Sequence, residues 1–533
     1  MCSSPTWRRN PRSTILECSL PAMRRVQVAS ATQLAADAGA AVADAGGNAI
    51  DAAIGAAITS MCTEIGIIAP AASGFLTIWP AGGDPVVIDG YAEMPGRGLD
   101  PDRFGGAAER VEITYGGHTE TIVGWGSVAT PGVFAAFEEA HRAFGAIPWS
   151  DVLEPSIRIV DAGCPVTESS AEYLDHAHRA IFGWNPESYA ITHHEDGTPL
   201  GANDHLHIPG LAHTLRQIAE RGARDLYEGE LAVAISTAVL AGGGILTAED
   251  LSAYQAVTRE PIRFNVDDWE IATNPLPAVG GVAAAAMLLL ALNPPFAGWT
   301  SEEIDRLARI QRGVLGFRSD RLDDYEGRSA AADEILALAH AGDLTALDRS
   351  PSTVHTSATD SDGAGCAVTV SAGYGSGAVV PGTGMYLNNS LGEVELLVDG
   401  FHSLTPGTRL VSNMAPTVGR RADGSVIAIG TPGASRITTA ISQVLINFLH
   451  LGMSLSDAVA HPRMHVEAFD GKPTIAYEPG LDVRPMGDMS ARRFPDISMY
   501  FGGVQAALWD PVGGLYGAAD PRRSGGTARG GVD

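Results

Sequence analysis

The sequence predicts an α+β fold, and three stretches carry that reading. Thr353–Asp360 and Cys366–Ser371 are rich in β-branched residues. Between them Asp360-Ser361-Asp362-Gly363 supplies a turn with a glycine able to take positive φ, so the run reads as a β-hairpin. From Val26 to Met61 the chain reads as two alanine-rich helices broken at Gly46-Gly47, with Asn48 placed to cap the second. SGFLTIWP and DPVVIDGYAEMP alternate as strands do and form another hairpin around Gly82-Gly83.

The remaining elements follow in order. Residues 1–25 are basic but have no apolar run after the charges, so they read as a disordered leader, or as an upstream start with the true one at Met23. Between Gly124 and Leu292 helical and turn patterns alternate; Thr247-Ala248-Glu249-Asp250 reads as a helix start with Thr247 as cap. Ser301–Asp348 reads as charged amphipathic helices ending in an exposed loop, ALDRSPS. GTPGASR then feeds a long apolar-faced helix, whose first N–H groups point back towards Gly433 and Ala434.

Bulk properties exclude several classes. A formal charge of −27, with 62 acidic against 35 basic residues, argues against nucleic acid or an anionic membrane as partner. The longest apolar run, Val282–Leu292, is too short to span a bilayer, which takes about 20 residues. Five scattered cysteines suit neither a disulfide framework nor a structural zinc site and fit a reducing compartment, so a cytoplasmic location is expected. His193-His194 and His205-x-His207 lack an acid or cysteine cluster at ligand spacing and read as solvated loop residues. No metal or cofactor is called for.

A hairpin turn centred on Asp362 pairs Thr353 with Ser371, which sets two hydroxyls on neighbouring strands. Alone, that is an ordinary Ser/Thr-rich hairpin. It runs, however, into GYGSGAVVPGTG, where backbone can approach a ligand closely, then into LNNSLGEVE and RLVSNMAPT. Thr353-Val354-His355-Thr356-Ser357, Pro381–Asn389, Ser412-Asn413-Met414-Ala415-Pro416-Thr417 and Gly430–Arg436 occur in the order found in one family. Together with Gly46–Ala53, these motifs resemble the γ-glutamyltransferase family of N-terminal-nucleophile hydrolases, over about Val26 to Gly526.

The resemblance implies a four-layer αββα sandwich and a precursor cut between Ser352 and Thr353, giving a large subunit (26–352) and a small one (353–533). It implies Thr353 as nucleophile, Ser371 as second hydroxyl, and the N–H groups of Gly433 and Ala434 as oxyanion hole. Glu393 matches the acid that binds the substrate amine, and Ser412 with Asn413 match the pair near its carboxylate. The sequence departs from the family in three places. Ala434 replaces a glycine, which puts the backbone angle in question. The span between Glu393 and Ser412 is short, so a reduced lid and hydrolysis over transfer are expected. Tyr91 stands where the family's carboxylate-gripping arginine belongs, with Arg97 as a nearby substitute.

A threonine hydroxyl is a weak nucleophile without a base beside it, and the new α-amine supplies one, with a pKa near 7.7 to 8. The leading expectation is thus an autoprocessed enzyme cleaving γ-glutamyl amides such as glutathione and passing the acyl group to water or an amine. The alternative keeps the machinery and changes the acyl group, as in cephalosporin or glutaryl acylases and small-acid amidohydrolases. A third reading is an unprocessed, non-enzymatic binding protein.

Overall fold

The structure is a computed structural model and describes residues 24–114, 119–341, 353–394, 400–469 and 472–531. Its two main sheets use, in chain order, β1 Val26–Ser30, β2 Ser73–Trp79, β3 Val86–Gly90, β4 Val257–Arg259, β5 Ile262–Val266, β6 Trp269–Thr273, β7 Val354–Asp360, β8 Gly365–Ser371, β9 Thr417–Arg421, β10 Val426–Gly430, β11 Gln505–Asp510, β12 Gly514–Ala519 and β13 Gly526–Gly530. The first sheet runs β13-β1-β7-β8-β2-β3-β4 and the second β12-β11-β10-β9-β6-β5.

Helices α1 Gln33–Asp44 and α2 Ala49–Thr63 cover the first sheet, where Ile54 and Ile58 share a core with Val28, Ala358 and Val368. Helices α3 Val279–Ala291, α4 Ser301–Phe317, α5 Arg328–Ala341 and α6 Arg436–Leu445 cover the second, with Val282, Leu288 and Ile441 against Ile271, Ile427 and Ile429. Between the sheets lie Trp79 and the small or β-branched Ala272, Ala367, Val418 and Ala428. The order is helix, sheet, sheet, helix: the expected αββα sandwich. Among the described residues no helix is long and apolar enough to cross a membrane.

Asn48 caps α2 as expected, its side chain accepting from Ile50 and Asp51 while Asp51 bonds back to the Asn48 N–H. Thr247 and Asp250 form the same reciprocal cap. One expectation is corrected: Val26–Ser30 is not helical but a fully buried strand, hydrogen-bonded to β7 on one side and β13 on the other. Two neighbouring strands outweigh the local helical pattern, and α1 starts only after Thr32, whose hydroxyl caps Ala35 N. The ALDRSPS loop and Ser352 lie outside the described residues.

Candidate active site

The site is built first by register. Strands β7 and β8 pair from Thr359 with Gly365 down to Val354 with Val370, so the next position of that register sets Thr353 beside Ser371. The equal-offset expectation is met. Side chains alternate along β7: Val354 and Ala358 enter the helix-side core, Thr356 reaches Ser30 Oγ at 2.7 Å, and His355 and Ser357 turn to the second sheet. Thr353, 4% exposed, stands by that alternation on the His355 face.

His355 is the spacer beneath it. Ser357 Oγ donates to Gln505 O at 3.1 Å, so it accepts from His355 Nε2–H at 2.8 Å, and Nδ1 accepts from Thr369 Oγ1 at 2.7 Å. A Cβ on Gly430 would overlap the imidazole, which is why the second sheet needs glycine there. Burial pulls the imidazole pKa down to about 3, so it stays neutral and is no base. Unfolded, it binds a proton below its ordinary 6.5. Its contribution to stability is therefore complete above that value and shrinks as pH falls towards 3, by roughly 1.4 kcal/mol per unit. Buried Glu64, raised to about 7, acts in the opposite sense between 4.5 and 7. The His355 share is thus read by difference: in denaturant titrations, the gap between wild type and His355→Gln should narrow by about 2 kcal/mol from pH 6.5 to 5. A gap independent of pH contradicts a neutral, buried imidazole.

Strand β10 delivers the turn that follows. After Gly430 the chain passes Thr431 and Pro432 and places Gly433 at φ 121° and Ala434 at φ 63° before α6 begins. Alanine thus keeps the left-handed angle, at a cost of roughly 1 kcal/mol or more relative to glycine. Ala434→Gly removes that strain but loosens the unfolded chain, so unfolding free energy should rise by about 0.5 kcal/mol with activity retained. A stability loss in a thermal or denaturant melt would refute the strain.

The residues expected to bind substrate are reached through one glycine. Gly373 N donates to Ser371 Oγ at 3.0 Å, and the space its Cβ would need is taken by Asn389 Oδ1 and the Glu393 side chain. Glu393, 2% exposed, neighbours Tyr91, whose ring stacks on Phe75 at 5.3 Å. Burial first, and then the Glu393 carboxylate, hold the Tyr91 phenol well above its ordinary pKa; a polar contact with the Ser412 hydroxyl pulls the other way. The structure thus brings Tyr91, Glu393 and Ser412 together. Asn413 follows Ser412 in the segment leading to β9, buried, with neither carboxamide atom hydrogen-bonded within the described protein.

Arg97 does not substitute for the missing arginine. It pairs with Glu93 at 3.2 Å and Asp250 at 3.3 Å. Sequence reasoning missed Arg409, which grips the segment from the other side: it donates to Tyr91 O at 2.5 Å, pairs with Glu93 at 3.3 Å and lies over the Tyr254 ring. Tyr254 Oη donates to the same carbonyl at 2.7 Å. No spacing signal could reveal a contact 318 residues apart. Of the short span expected as a reduced lid, 395–399 lie outside the described residues, while Thr408 and Leu410 bond back to Met94 and Ala92. His193, expected in a solvated loop, is instead buried and bonded to His178 at 2.8 Å, because Tyr189 stacks over it. His194 pairs with Asp204 at 2.9 Å.

Two sheets between helix layers, with a threonine at the head of a central strand, define the N-terminal-nucleophile hydrolase class. The chain belongs to the gamma-glutamyltranspeptidase family, whose sequence profile, described as Gamma-glutamyltranspeptidase, matches residues 35–530. It is 29% identical to a glutathione hydrolase proenzyme of Pseudomonas aeruginosa over 93% of both chains. It is 30% identical to an Acylase ACY 1 proenzyme of Pseudomonas sp. over 94% of both. A solved cephalosporin acylase from Bacillus halodurans shares the fold, with a TM-score of 0.74, 24% identity and 99% of each chain covered. The chain is accordingly an enzyme of the amidohydrolase and acyltransferase type.

Proposed function

We propose that the chain cuts itself before Thr353 and then cleaves small amides whose acyl group lacks the α-carboxylate of glutamate, chiefly by hydrolysis. The observation that carries this reading is Tyr91, buried beside Glu393 and Ser412 where a guanidinium would grip that carboxylate. A phenol offers one neutral donor in place of a charged fork, and a carboxylate there would face Glu393 uncompensated. Arg97 and Arg409 are both engaged with acidic side chains.

In turnover Thr353 Oγ attacks the amide carbonyl while its own α-amine takes the hydroxyl proton and passes it to the departing amine. The N–H groups of Gly433 and Ala434 hold the carbonyl oxygen as charge develops on it. Water then attacks the ester, the amine again taking the proton, and the acid and free threonine are released. Ser371, beside Thr353, orients the nucleophile; Glu393, Ser412, Asn413 and Tyr91 line the acyl end.

A second reading is favoured by Glu393, Ser412 and Asn413: a γ-glutamyl donor such as glutathione, held without the arginine. Anilides of γ-glutamate, glutarate, 4-aminobutyrate and butyrate differ only in the amine and carboxylate at the far end, so they separate the two. The proposal expects both carboxylate-free anilides to have the higher kcat/KM; a lead for the γ-glutamyl anilide sinks it. A denaturing gel of incubated protein should show fragments of about 37 and 19 kDa, in proportion to their share of the 55.4 kDa chain.

A further inference from the structure

Four charged side chains with no part in the steps above are buried together behind the Gly433–Ala434 turn. Arg463 pairs with Asp520 at 2.7 Å, Arg522 pairs with Asp520 at 3.1 Å and with Glu478 through Nε at 2.7 Å, and no side chain of the four is more than 2% exposed. Such a quartet is a weak source of stability, because desolvating four charges cancels most of their attraction. What it does hold is a loop. Glu478 accepts from Ser498 N at 2.9 Å, Arg463 donates to Phe501 O at 3.1 Å, and Asp520 accepts from Val504 N at 2.7 Å. The loop 498–504 is thus fixed at both ends and in the middle.

That loop is the mould of the turn. Gly503 N donates to Thr431 Oγ1 at 2.8 Å, and Arg436 Nε donates to Tyr500 O at 3.0 Å, so the turn is tied to the loop on both flanks. Between these ties a Cβ on Gly433 would stand 3.0 Å from Gly502 Cα, and one on Gly502 would stand 2.6 Å from Thr431 Oγ1. Gly433 and Ala434 are both left-handed, and a strained angle at alanine persists only where its surroundings impose it.

We propose that Arg463, Glu478, Asp520 and Arg522 are positioning residues that act through loop 498–504 to aim the Gly433 and Ala434 N–H groups. The proposal rests on reading those N–H groups as the oxyanion site. It places the quartet's effect in the chemical step: oxyanion donors act on the transition state more than on bound substrate, and a misplaced donor lowers kcat with little change in KM.

The test uses Asp520→Asn and Arg463→Lys, which keep side-chain bulk, and Gly502→Ala, which alters the joint without touching a charge. Each is purified as the cut, two-fragment protein, and kcat is taken per site counted by the anilide burst, so unfolded or uncut molecules do not enter. Each variant should lose about ten- to a hundredfold in kcat with KM within about twofold, and Gly502→Ala should add little to Asp520→Asn. A cut variant with wild-type kcat, or one whose KM rises while kcat stands, overturns the proposal. If neither charge variant folds, Gly502→Ala decides alone, and an unchanged kcat there overturns it. Thr353→Ala tests the underlying reading separately, since anilide cleavage surviving in that variant removes the oxyanion site whatever the quartet does.

Discussion

Thr353→Ala should remain a single uncut chain and should lose amide cleavage by a factor of at least about 10⁴. Two losses combine in that one atom. In the proposed mechanism Oγ attacks the preceding carbonyl in maturation, and without the cut the α-amine proposed as its base is never freed. His355, two positions on, does not take the base's place: it is buried, neutral and committed at both nitrogens to Thr369 and Ser357. Packing should barely change, because Thr353 heads β7 and does not cross the core, so the variant should fold and melt within a few degrees of wild type. A denaturing gel reads maturation, and butyryl and 4-aminobutyryl anilides read turnover. Cut fragments together with undiminished cleavage would remove both the nucleophile and the site of processing.

Tyr91→Arg should redirect the enzyme. A guanidinium at this position would enter a site that already holds the carboxylate of Glu393, which would help offset the cost of burial. It would also restore a forked donor beside Ser412 and Asn413. Hydrogen bonds to a charged group contribute roughly 1.5–3 kcal/mol, so the ratio of kcat/KM for γ-glutamyl over 4-aminobutyryl anilide should rise about 10- to 100-fold. The ratio is independent of how much protein folds, which matters because the variant gives up the stacking on Phe75. Should the ratio stay where it is in wild type, Tyr91 does not govern the carboxylate end, and the substrate class proposed here loses its support.

Local chemistry made much of this legible. Gly46-Gly47-Asn48 predicted a helix break and cap and Asp360–Gly363 predicted a turn, both of which are seen; equal offsets from that turn predicted Thr353 beside Ser371, the position reached by extending the Val354–Val370 register by one residue. Each depends on residues within about 20 positions, where φ preferences and turn geometry act directly. Val26–Ser30 failed for the opposite reason. Its strand partners are β7 and β13, more than 300 residues away, and their hydrogen bonds keep extended a segment that leads straight into an alanine-rich helix. The angle at Ala434 was open for the same reason, since what imposes it is a loop 68 residues further on that touches Thr431 and Gly433.

From the order of its motifs the sequence alone determined the family and the tyrosine at position 91, and it pointed to Thr353 as the nucleophile proposed above. Tertiary structure alone decided what that tyrosine means: Arg97 and Arg409 are close in space yet spent on Glu93 and Asp250, and Tyr91 is walled in by Phe75, Glu393 and Ser412. A residue's type is written in the chain, but whether its charge is available depends on which other charges folding places within a few ångströms of it.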